Sequence, residues 1–149
     1  MKSGMSLLDV NVLVAAHRFG SHRHKEYARF VQSLVTSAGH YSIPTVVRSG
    51  FLRIVTNRRI FPVPTPLDNA FEFLDSLLER ENHTEMEPGE RHWSLFAALC
   101  RKIEAKGNDI PDAYLAALAM EHGTELISAD RGFARFPGLK WQHPLDERD

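Results

Sequence analysis

The stretch Leu7-Leu8-Asp9-Val10-Asn11-Val12-Leu13 is where the fold of this chain is written most plainly. Leu7 and Leu8 form a short apolar run of the kind that makes a buried strand. The run stops at Asp9, and an apolar segment over 11–17 (NVLVAAH) then reads as a first helix. A strand that ends in an acid and turns at once into a helix leaves its carboxylate at the strand's carboxyl end. In open α/β sheets, ligands bind outside that edge.

The same grammar repeats outward from this point. Positions 24–38 carry Tyr27, Phe30, Val31, Leu34, Val35 and Ala38 at helical spacing, with Gly39 as a stop. A second strand is expected at 41–43, and a helix over 45–56 behind Pro44. Thr65-Pro66-Leu67-Asp68 reads as a helix start, with a Thr cap, Pro first and an acid in the first turn. That helix is expected to run to Arg80, followed by a third strand at 84–86 and the break Pro88-Gly89. A helix over 90–106 comes next, stopped by Gly107. Asp109 is expected to cap a helix over 111–122, which Gly123 stops. A fourth strand over 124–128 ends just before Asp130, and 139–141 reads as a short fifth. Strands separated by helices need crossover connections, hence a parallel sheet covered on both faces. Without repeats or linkers, the chain reads as one domain over 1–149, with 1–5 expected as a disordered leader.

The bulk properties bound the function. A chain of 149 residues buries a sizeable core without disulfides, and Cys100 is its one cysteine. No apolar run approaches the roughly 18 residues of a membrane span, and Met1–Met5 lacks a signal peptide's apolar core. The expectation is therefore a cytoplasmic protein with no membrane association. The net charge is −1, so a nucleic-acid substrate draws no support from overall charge and must be argued from local features.

Three acids share an expected position. Asp9 and Asp130 lie at strand carboxyl ends, and Asp112 lies in the first turn of a helix, where the helix dipole favours negative charge. Carboxylate oxygens are hard ligands suited to Mg²⁺ or Mn²⁺, and such an ion polarises a phosphodiester and activates water. The plainer reading is that each Asp caps a helix or forms a turn.

The wording around these acids goes further. The opening Leu7-Leu8-Asp9-Val10-Asn11 resembles the first strand and turn of PIN domains. Asp112-Ala113-Tyr114-Leu115-Ala116-Ala117-Leu118-Ala119 is similar to their third motif, an Asp opening an alanine-rich helix. Leu126-Ile127-Ser128-Ala129-Asp130-Arg131-Gly132-Phe133 resembles their last, a strand followed by Ser/Thr-x-Asp and an aromatic. With the tail Phe136-Pro137-Gly138-Leu139-Lys140-Trp141, the resemblance covers about residues 6–146 and points to the VapC toxins of bacterial toxin–antitoxin pairs. It implies a three-layer α/β/α sandwich with a short, mostly parallel central sheet. It also implies a metal-dependent endoribonuclease in which Asp9, Asp112 and Asp130 hold Mg²⁺ or Mn²⁺. Asn11 would brace the loop after the first strand, and Ser128 would offer a hydroxyl to water or phosphate. The implied partners are an RNA substrate, a cognate VapB-type antitoxin and a second copy of the chain.

One departure stands out. PIN nucleases carry a Glu on the helix after the second strand, but Thr45-Val46-Val47-Arg48-Ser49-Gly50-Phe51-Leu52-Arg53 contains no acid. The missing Glu falls near 48–50. Asp109 is a substitute if it shares a helix face with Asp112, which i,i+3 spacing on a regular helix would give; Pro111 leaves that geometry open.

Arg48, Arg53 and Arg58, with Arg59, form a cationic group suited to an RNA backbone; Arg18, Arg23 and Lys25 form another. His17, His22 and His24 lack the Cys/His pairing of a structural zinc site. Cys100 reads as a small buried hydrophobe, and Tyr27, Phe30 and Phe51 as core. The apolar surplus at Trp93, Leu95, Phe96 and Leu99 suits either the core or a dimer face. Two other functions are weighed. Asp9-Val10-Asn11 has one acid of an Asp-x-Asp phosphotransfer motif, but no phosphate-binding Lys follows a later strand. The absent Glu also allows a catalytically weakened PIN fold that binds RNA or a partner without cutting.

Overall fold

The computed structural model describes residues 4–147. Four short strands form one sheet: β1 (Met5–Leu8), β2 (His40–Ser42), β3 (Glu125–Ile127) and β4 (Trp141–Gln142). Their order is β2-β1-β3-β4, and every pairing is parallel, with Leu7 opposite both Ser42 and Leu126. Leu7, Leu8, Leu126 and Ile127 are buried, as the unbroken apolar runs of β1 and β3 require in a sheet covered on both faces.

The helices are α1 (Val10–His17), α2 (His24–Val35), α3 (Thr45–Val55), α4 (Leu67–Leu78), α5 (His92–Lys102) and α6 (Asp109–Glu121). Residues Arg131–Arg135 add one 3₁₀ helix, η1. In α6, Ala113, Ala116, Ala117 and Ala119 are all fully buried, so small side chains let the helix lie close against its neighbours. Tyr27 and Phe51 are core residues, and Phe30 packs against the core. The apolar surplus of α5 divides: Leu99 is buried, while Trp93 is 72% exposed. No helix among the described residues is long and apolar enough to cross a membrane.

Several expectations need correction. Met5, expected within a disordered leader, belongs to β1 and pairs with His40; 1–3 lie outside the described residues. No strand forms at 84–86. The chain makes one parallel bridge, Tyr41 to His83, and leaves the sheet. Glu85 then pairs with Arg48, and Glu87 accepts from the Thr45 N–H at the start of α3. Those two acids are better satisfied on α3 than in a ladder. Helix α5 stops at Lys102 because Glu104 takes a positive φ of 52° and Ala105 N–H closes onto the Cys100 carbonyl. Helix α6 starts two residues early, at Asp109, which is thus inside the helix rather than its cap. Pro111 is tolerated there because the first turn's N–H groups have no helical acceptor. Thr65 does not cap α4; its hydroxyl accepts from Arg18 instead. The last strand lies at Trp141–Gln142.

Candidate active site

Asp9 stands where β1 becomes α1, and its N–H bonds the Ile127 carbonyl at 3.0 Å, tying the ends of β1 and β3 together. Its carboxylate caps α1: Oδ1 accepts from the Val10 N–H at 2.7 Å. Oδ2 accepts from the Ser128 hydroxyl at 2.7 Å and from Asn11 Nδ2 at 3.3 Å.

Asn11 and Ser128 complete a closed network. Asn11 Nδ2 also donates to Ser128 Oγ at 3.2 Å, and its Oδ1 accepts from the Ala129 N–H at 3.0 Å. The fully buried Ser128 accepts from the Asp130 N–H at 3.0 Å. One hydroxyl therefore touches the residues that carry two of the three expected acids. Asp130 caps η1, its Oδ1 accepting from the Gly132 N–H at 2.8 Å.

Asp112 comes from the other side, in the first turn of α6. Its Oδ2 and the Oδ1 of Asp109 both accept from Arg135 Nη2, each at 3.1 Å. Asp109 and Asp112 do share a helix face, with an arginine bridging them.

The charges act on one another. Burial raises the Asp9 carboxyl above its ordinary range; its hydrogen bonds from Ser128 and Val10 oppose this, and the charges of Asp112 and Asp130 add to it. Burial also raises Asp112, opposed by the Arg135 hydrogen bond and reinforced by Asp130 and Asp109. Carboxylates that repel across a common rim at the sheet's carboxyl end are held best by a cation.

On α3, the helix lacking an acid, a β-carbon on Gly50 would stand 2.9 Å from Val10 Cγ2. The α3 position packed beside the Asp9 turn is thus a glycine. Arg48 is tethered: Nε donates to the Ile43 carbonyl at 2.6 Å, and Nη2 reaches Glu85 at 2.7 Å. The guanidinium groups of Arg53 and Arg58 make no hydrogen bond or ion pair among the described residues, and both residues are exposed. Arg135 was not anticipated from the sequence. The one available signal was its place five residues after Asp130, which means little until η1 is seen to fold it back over α6.

The family model of the PIN domain matches residues 6–139. The chain belongs to the PIN-domain family. This PIN domain is 46% identical over 142 residues to the ribonuclease VapC43 of Mycobacterium tuberculosis, covering 95% of this chain and 97% of the relative. It is 40% identical over 140 residues to ribonuclease VapC25 of the same organism, covering 94% and 99%. Among solved structures, it resembles a chain of VapBC2 from Rickettsia felis bound to a promoter DNA fragment. That match has a TM-score of 0.69 at 18% identity and covers 93% of this chain and 97% of that one. A chain of VapBC-1 from nontypeable Haemophilus influenzae gives a TM-score of 0.68 at 18% identity, over 95% and 99%. These likenesses bear out the α/β/α sandwich around a short parallel sheet.

The site's donors suit the ion that the resemblance implies. All are hard oxygens, and their mutual repulsion is what a divalent cation relieves. Among the described residues, no three His, Cys, Asp or Glu side chains are grouped closely enough to hold one ion together.

Proposed function

We propose that this PIN domain is a metal-dependent endoribonuclease, the toxin of a VapBC-type toxin–antitoxin pair. The carrying observation is the Asp9–Ser128–Asp130 network with Asp112 facing it, at the carboxyl end of a parallel sheet. The named relatives are ribonucleases, which supplies the substrate class.

In this reading Asp9, Asp112 and Asp130 serve Mg²⁺ or Mn²⁺ together, with water completing the ion's shell between it and the carboxylates that do not reach it directly. When bound, the ion would polarise the phosphodiester and make water a stronger nucleophile. The protein's own part is positional. Asn11 and Ser128 hold Asp9 from one side and fix its Oδ2. Ser128 also holds the Asp130 backbone, so the two carboxylates keep their relative place. Arg53 and Arg58 are available to meet the RNA backbone, whereas Arg48 is engaged with Glu85 and Ile43.

The partners of this reading are an RNA, a VapB-type antitoxin and a second copy of the chain. The VapBC structures that share this fold motivate the antitoxin, and exposed Trp93 on α5 offers an apolar contact for a copy. Its place of action is the cytoplasm. A second reading, RNA or partner binding without cleavage, draws on the absence of an acid at 48–50 of α3, where Gly50 packs beside the Asp9 turn.

Digestion of structured RNAs by antitoxin-free protein, with Mg²⁺, with Mn²⁺ and with EDTA, tests the proposal. Discrete fragments that require metal support it. Intact RNA with folded, metal-replete protein favours the binding-only reading.

A further inference from the structure

We infer that Arg135 is a positioning residue that orients the Asp112 carboxylate for metal binding, with Gly132 as the pivot joining it to Asp130. This rests on the metal-dependent reading above.

The guanidinium of Arg135 is held on three sides. Nη1 donates to the Gly132 carbonyl, Nη2 donates to Asp109 and Asp112, and the group lies 4.6 Å from the Phe136 ring centroid. Only a third of the side chain is exposed. A planar fork fixed in this way imposes a direction on the carboxylate it binds, which a flexible ammonium would not. Arg135 engages Asp112 through Oδ2 alone, and Oδ1 carries no hydrogen bond among the described residues. One oxygen is thus tied down and the other left available.

Gly132 gives the second observation. Its N–H holds Asp130 Oδ1 and its carbonyl holds Arg135. A β-carbon there would stand 2.8 Å from Arg135 Nη1 and 2.9 Å from Asp130 Oδ1. A side chain at this position would therefore push on the tips of Arg135 and Asp130 together. Through this pivot, the turn Arg131–Arg135 sets the place of Asp130 at its start and of Asp112, across on α6, at its end. Partners that orient ligating groups from behind commonly carry about a 10- to 100-fold effect on metal affinity or activity.

A contrary role can be separated by charge. If Arg135 merely neutralised the acids, losing it would tighten binding of a divalent ion, and lysine would replace it fully. The test is titration of RNA-free protein with Mn²⁺, followed by calorimetry, for wild type, R135Q, R135K and Gly132→Ala. The expected result is Mn²⁺ binding weakened by about tenfold in both Arg135 variants, and also weakened in Gly132→Ala. Equal or tighter binding by R135Q, or wild-type binding by R135K, overturns the positioning role and leaves the metal site standing. No Mn²⁺ binding by the wild type overturns both.

Discussion

Val10 Cγ2 lies 2.9 Å from where a β-carbon on Gly50 would stand. This close approach locks α3 against the start of α1, one residue from Asp9. Alanine at position 50 gains about 0.8–1 kcal/mol of helix propensity. It also forces a branched, stiff valine aside, an overpacking cost of about 1–3 kcal/mol. The overpacking term wins, and Gly50→Ala is expected to destabilise by about 1 kcal/mol. Chemical denaturation of Gly50→Ala, Val10→Ala and the double variant checks this. The double variant should lose less than the two single losses added together, since the clash needs both side chains.

Ser128→Ala should cost stability and activity together. The hydroxyl is buried and serves Asp9, Asn11 and the Asp130 N–H. Its removal strands buried polar groups at about 1–3 kcal/mol. Urea midpoints, with the m-value unchanged, would report the loss. A wild-type midpoint would mean that water replaces the hydroxyl and that the network is not what holds Asp9.

The pH dependence of the metal-free protein follows from the two raised carboxyls. Asp9 and Asp112 sit above the ordinary aspartate value of 3.8 when folded. From 3.8 upward to their raised values, the folded state therefore binds more protons than the unfolded chain. Through this window their contribution to stability falls as pH rises, and above it the loss is complete. In EDTA, Asp112→Asn should accordingly gain on wild type in denaturation midpoints as pH rises above the ordinary aspartate value of 3.8. A difference that does not change with pH would contradict the raised Asp112 carboxyl.

Salt dependence separates the arginines. Arg53 and Arg58 are exposed and make no ion pair among the described residues, while Arg48 is tied to Glu85. Removing one cation from an RNA phosphate should reduce the slope of log K against log salt by about 0.7 on a single strand. Arg53→Ala and Arg58→Ala should each show that reduction in filter binding, and Arg48→Ala should not. Equal slopes for all four proteins would remove these side chains from the RNA path.

Much of the site was legible because its parts are local. Asp9 followed an apolar run, and Asp130 followed β3 through Ser128-Ala129; strand ends marked by acids can be read without knowing the fold. The parallel sheet followed from the alternation of strands and helices. What stayed hidden depends on long-range closure. The segment 84–86 has a strand's composition, but Glu85 and Glu87 found better partners on α3. Asp109 looked like a cap because Pro111 obscured where α6 starts. Arg135 carried no signal beyond its place five residues after Asp130, since its role arises only when η1 folds back over α6.

The most direct test of the central claim is cleavage of one RNA substrate in Mg²⁺ or Mn²⁺ by wild type, Asp9→Asn and Asp112→Asn, each shown to be folded. The account predicts metal-dependent fragments from wild type and their loss, by at least about a hundredfold, in both variants. Cleavage by both variants at the wild-type rate would contradict the assignment of catalysis to this acidic rim.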